Sequence, residues 1–199
     1  TVTFKGIFIA RWPDSLPADV LHAHVQSAKG VIPESDRDMY RVQPFNLGET
    51  FSKRVPASLA WNSEDVLAGV ELQFASLAPN NNHFAGFSLT DGYDPFVARD
   101  VRDVLAHLGT NYAAEDSVNG IPIEERKRRL TENLDVLGMM AGKYVISGTE
   151  IEHPQLTLIA TPAASRYDIP YYIYKNTIAQ PRVRLATKTE SIHHSSMIE

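Results

Sequence analysis

The sequence predicts an α+β fold: a mixed or antiparallel sheet packed by two or three amphipathic helices, followed by an extended C-terminal arm. Three observations predict it. Strand-like runs occur at both ends of the chain, and two helical stripes are grouped between them instead of alternating one-for-one with strands. Of 199 residues, 43% are hydrophobic and 22% charged, the balance of a globular chain that can bury one layered core. The final segment, from Ile178 to Glu199, has too few apolar residues to build a core of its own. The expected division is therefore a single α+β domain over 1–177 and an arm over 178–199.

Thr1 to Ile9 reads as a strand, with Val2, Phe4 and Phe8 on one side. A helix is expected from Ser15–Pro17, because proline is tolerated in a first helical turn. Leu21, Val25 and Ala28 form its stripe, and Gly30 is placed to end it. Ser35 to Asp38 reads as a polar loop and Met39 to Phe45 as a strand limited by Pro44. Val70, Leu72 and Phe74 alternate with Glu71, Gln73 and Ala75, the period of a half-buried strand. The turn at Pro79–Asn82 then makes His83 to Leu89 the returning strand of a hairpin.

Asp94 and Pro95 suit the N-cap and first position of a helix. Val97, Val101, Val104, Leu105 and Leu108 form its stripe, and Gly109 closes it. A second long helix begins near Pro122, with Ile123, Leu130, Leu134, Leu137 and Ala141 on its apolar face. Gly142 is the expected cap, and Gly138 is expected to allow a close helix contact. Strand chemistry resumes at Tyr144–Ile146, Leu156–Thr161, Tyr171–Tyr174 and Val183–Ala186.

Composition excludes several classes of function. There is no cysteine, hence no disulfide framework, thiolate metal site or cysteine nucleophile. No apolar run reaches the roughly 20 residues that span a bilayer, so no membrane partner is expected. The first residues lack the apolar core and cleavage site of a signal peptide. The expected setting is intracellular, cytoplasmic or a virion. P-loop, dinucleotide-fingerprint, nucleophile-elbow and H-E-x-x-H patterns are all missing, so no catalytic residue and no cofactor is assigned.

The histidines and carboxylates favour structural roles. His22 and His24 would point about 200° apart on a helix, which does not make a shared metal site. His193 and His194 lie in a polar terminus without fixed partners. Asp36 and Asp38 offer too few ligands for a cation loop. Asp100 and Asp103 sit beside Arg99 and Arg102, as on a solvated helix face. No metal is assigned.

Two stretches remain. Arg126, Lys127, Arg128 and Arg129 follow Glu124 and Glu125, giving favourable i,i+4 pairs on an exposed helix face. With Lys175, Arg182 and Arg184 they form the candidate phosphate-binding set for a nucleic-acid partner. Tyr171, Tyr172 and Tyr174 suit a wet interface between copies, together with Val183 and Leu185 of the arm. Net charge is −5, yet residues 166–199 carry five Lys or Arg against three Asp or Glu. A weakly basic C-terminal segment thus follows an acidic body. The leading expectation is a self-assembling structural subunit of the coat, shell or tube kind, viral or phage capsids included, whose partners are other copies of itself through strand-edge and arm contacts. A nucleic-acid-binding module is the first alternative. A small enzyme with a site near His83 or His107 is the second.

Overall fold

In a computed structural model of the chain, residues 29–45, 86–90, 99–109, 121–164 and 169–183 are described. The elements are α1 (Glu34–Arg37), β1 (Arg41–Phe45), α2 (Arg99–His107), α3 (Ile123–Glu132), α4 (Leu134–Met139), β2 (Gly142–Ser147), β3 (Leu156–Ala160), β4 (Ala163–Ala164), β5 (Ile169–Pro170) and β6 (Tyr172–Asn176). Four strands form one sheet in the order β1-β2-β6-β3, and β4 pairs with β5 in a small second sheet. β1 and β2 are parallel, whereas β6 is antiparallel to both β2 and β3. The sheet is mixed and the fold is α+β.

One face of the sheet meets the helices. Phe45, Val145, Leu156 and Tyr174 share a core with Leu105 and Leu108, Leu130 of α3, and Leu134 and Leu137 of α4. The expected single helix after Pro122 is broken at Asn133, whose φ of −117° leaves the helical region. The Asn133 side chain donates to Arg129 O at 2.8 Å, offering the backbone an alternative to the helical ladder. Asn176, 1% exposed, fastens the layers together. Its amide donates to Leu134 O at 3.3 Å and to Gly142 O at 3.1 Å.

The opposite face is tied to α1. A register shift between Arg41 and Val42 leaves Lys143 without an opposing residue on β1. Lys143 and its neighbour Tyr144 can therefore reach the same carboxylate, because a bulge re-aims side chains. Asp36 accepts from the Tyr144 hydroxyl and pairs with Lys143 at 2.8 Å. Burial alone would raise the Asp36 pKa, but the Lys143 and Tyr144 hydrogen bonds, with the charges of Lys143 and Lys175, hold it below the usual carboxylate value. The Tyr144 hydroxyl is pushed up by burial and by Asp36. Arg37 donates to Lys29 O at 3.0 Å and Ile32 O at 3.3 Å, serving orphan carbonyls at the end of the preceding helix.

Several local expectations need correction. The helix carrying Gly30 continues through Val31, and 34–37 is helical where a polar loop was expected. Ala141, at φ 65°, makes the left-handed turn that Gly142 was expected to make. Gly142 instead opens β2, where a Cβ would lie 2.9 Å from Leu137 O and against Leu137 Cδ1. Val101 and Val104 remain 46% and 38% exposed, so only Leu105 and Leu108 of the described stripe are interior. Leu89 bridges in parallel to Val42, flanked by Val42 N–H to Ser88 O and Thr90 N–H to Val42 O. Its expected hairpin partner lies outside the described residues, as do the N-terminal strand, the body of the first helix and the start of the Asp94 helix. Val183 sits in a bend and not in a strand.

Candidate functional site

The exposed edge of the sheet is the most distinctive surface. β3 pairs with β6 on one side, and no strand lies on its other side among the described residues. Its sequence, Leu156-Thr157-Leu158-Ile159-Ala160, carries no charge. Leu158 and Ile159 are 45% and 37% exposed. The pairing runs Leu158 to Tyr174 and then Ala160 to Ile173, so Ile159 has no opposite number on β6. This bulge bends the strand, and Pro154 and Pro162 flank it. The edge is short and apolar, and its outward-facing backbone groups form an incomplete ladder.

The tyrosines beside it are used mostly within the chain. Tyr171 is fully buried and Tyr174 is 2% exposed. The Tyr174 hydroxyl accepts from Ile151 N–H at 2.9 Å, and its ring stacks on Tyr172 at 6.3 Å between centroids. Tyr172 is half-buried, so of the three it alone retains appreciable surface. Val183 is 78% exposed. Leu185 lies outside the described residues.

The basic set does not form one face. Arg126 is 3% exposed: its Nε donates to Gly109 O at 3.0 Å and its guanidinium lies 5.4 Å from the centre of the Phe45 ring. Burial inside the fold removes it from any phosphate. The signal was present in the sequence, since position 126 falls between Ile123 and Leu130 on the apolar stripe at i+3 and i+4. Lys127 pairs with Glu124 at 3.0 Å, Arg129 with Glu125 at 3.0 Å, and Arg128 with both Glu125 and Glu132. The Arg128 and Arg129 hydrogen bonds hold Glu125 down to about 2. The expected Glu125–Arg129 pair is present, while Glu124 turns to Lys127 instead of Arg128. Lys175 is on the sheet, and Arg182 donates to Tyr40 O at 3.2 Å. Arg184 is outside the described residues.

A groove of about 500 Å³ runs between α3 and the turn after β2, lined in part by Glu124, Lys127, Arg128, Thr131, Glu150 and Glu152. Thr131 Oγ1 donates to Lys127 O and Arg128 O, both at 3.0 Å, so its hydroxyl is engaged with its own helix. His107 is exposed at the end of α2, and His83 is outside the described residues. Among the described residues, no group of three His, Asp or Glu is placed to hold a metal ion. No described helix is long and apolar enough to cross a membrane. In comparisons with known proteins, no family model, no curated protein and no solved structure matches the chain.

Proposed function

We propose that this chain is a self-assembling structural subunit that joins copies of itself through the β3 edge, with its C-terminal arm as a further contact. The observation that supports this most is the uncharged, outward-facing Thr157-Leu158-Ile159 stretch at the rim of a mixed sheet. An exposed edge is a template for another strand. A second copy fits it because, in antiparallel pairing about a two-fold axis, the same residues face one another. Charges at such positions would repel, and β3 has none. Flanking prolines and the bulge at Ile159 limit the ladder, favouring a closed contact over an unending one.

The nucleic-acid reading is weakened by the burial of Arg126 and by the pairing of its three neighbours to Glu124, Glu125 and Glu132, carboxylates that compete with phosphate for the same cations. The assembly reading is tested by sedimentation equilibrium of the full chain and of Leu158→Lys. The variant is expected to associate at least roughly tenfold more weakly, since two lysines would meet across the axis. Ile159→Lys, at the position unopposed on β6, gives the same result with less disturbance of the Leu158–Tyr174 pair. Unchanged association constants in both variants, with unchanged circular dichroism, would refute the β3 contact.

A further inference from the structure

The chain leaving β6 carries a cation back to the start of β1. Thr177 N–H donates to Gln155 O at 2.9 Å, and Gln180 N–H to Gly138 O at 3.0 Å. Gly138 permits the crossing: a Cβ there would lie 3.1 Å from Ile178 O and 3.4 Å from Ala179 Cα. The close contact expected of this glycine is made with the strap 177–182 and not with another helix. Arg182 ends the strap. Its N–H donates to Met39 O at 3.0 Å and its guanidinium to Tyr40 O at 3.2 Å, which fixes its charge beside Arg41, the first residue of β1. Two more cations lie at this end of the sheet. Lys143 Nζ is 3.9 Å from the centre of the Tyr40 ring, and Lys175 stands across from Tyr144 on β6.

These cations outnumber the carboxylates that serve them. Asp36 is committed to Lys143 and to the Tyr144 hydroxyl. Among the described residues no carboxylate pairs with Arg41 or Arg182. Arg41 is half-buried, and burial and the charge of Arg182 both work against its own charge. A guanidinium keeps its proton in proteins and offers five N–H donors, so an anion received by both arginines relieves their repulsion. We propose that Arg41 and Arg182 bind a phosphoryl group, with Lys143 and Lys175 adding to the positive potential at this end of the sheet. A phosphate dianion matches two guanidiniums in charge and presents oxygens to both, whereas a carboxylate neutralises one. The cations gather at one sheet end and do not form a track along a polymer, since Lys127, Arg128 and Arg129 of α3 are paired elsewhere. A small phosphate-bearing molecule or free phosphate therefore fits better than a nucleic-acid strand. β1 and β3 are the two ends of the sheet order, so this site is separate from the proposed contact edge.

The test is isothermal titration calorimetry of the full chain with inorganic phosphate, with glycerol 3-phosphate and with a single-stranded oligothymidine, at one ionic strength held with sodium chloride. Four proteins are compared: the unaltered chain, Arg41→Gln, Arg182→Gln and Arg128→Gln. Arg182 is exposed, so its replacement leaves the described core untouched even if Arg41→Gln disturbs folding. The unaltered chain is expected to bind inorganic phosphate saturably at one site. Arg182→Gln and a folded Arg41→Gln are each expected to bind it at least roughly tenfold more weakly, as the loss of a charge-assisted hydrogen bond implies. Arg128→Gln, whose charge Glu125 and Glu132 already share, is expected to bind it like the unaltered chain. Tighter binding of glycerol 3-phosphate supports a phosphate ester as the ligand, and equal or weaker binding supports free phosphate. The proposal is overturned if the unaltered chain shows no saturable phosphate binding, if Arg182→Gln binds phosphate as the unaltered chain does, or if Arg128→Gln loses as much as the other two. Oligothymidine binding that is tighter per phosphate than phosphate itself, and is lost in Arg182→Gln, would also overturn it in favour of a nucleic-acid contact.

Discussion

Replacing Gly109 with alanine lowers the stability of the folded chain by about 3 kcal/mol, the sum of two penalties. Gly109 has φ +70°, a conformation that costs an L-residue roughly 1–2 kcal/mol. An added Cβ would also sit 2.8 Å from Arg126 O and 3.2 Å from Arg126 Cα. Those are backbone atoms of α3, so the clash is relieved only by moving α2 away from α3, at an overpacking cost of about 1–3 kcal/mol. The same movement stretches the Arg126 Nε to Gly109 O bond. Gly86, at φ +72° with nothing within 4 Å of its Cβ, isolates the first penalty. Urea denaturation of Gly109→Ala beside Gly86→Ala checks the account: Gly109→Ala is expected to have the larger loss, and equal losses would show that the helix contact adds nothing.

The second large effect is expected at Leu137, fully buried between α4 and the sheet. Leu137→Ala removes core volume that neighbours refill only in part, for a loss of roughly 2–5 kcal/mol. Leu137 also fills the space that a side chain at position 142 would need. Gly142→Ala alone is therefore strongly destabilising, and combined with Leu137→Ala it recovers part of its cost. A double-mutant cycle by thermal or urea unfolding is expected to give a favourable coupling of roughly 0.5–3 kcal/mol. Strict additivity would mean that the two sites do not share that space.

Local chemistry made much of this legible from sequence. Gly109 closes α2 as its position predicts, Leu130, Leu134 and Leu137 turn inward as their spacing predicts, and strands occupy 142–147, 156–160 and 172–176. What stayed hidden depends on partners distant in sequence. The parallel pairing of β1 with β2 joins residues about a hundred positions apart, and no alternation within either strand encodes it. Asp36 looked like one acid in a polar run because Lys143 and Tyr144 are equally remote. The break at Asn133 hides in an otherwise continuous apolar stripe, and Ala141 takes a conformation that composition assigns to glycine. For the candidate site, the tyrosine-rich strand lies beside the edge proposed as the contact. Which of its residues face inward depends on packing from both sides of β6, and the edge left unpaired among the described residues is its neighbour β3.

Hydrogen exchange at β3 tests the central claim most directly. Those amides of residues 157–159 that do not donate to β6 point outward, where a second copy would bond them. If copies join at this edge, exchange at these amides slows as protein concentration rises through the association range and quickens again in Leu158→Lys. Exchange that stays fast and independent of concentration, in a sample whose mass shows that it is associated, would contradict the account.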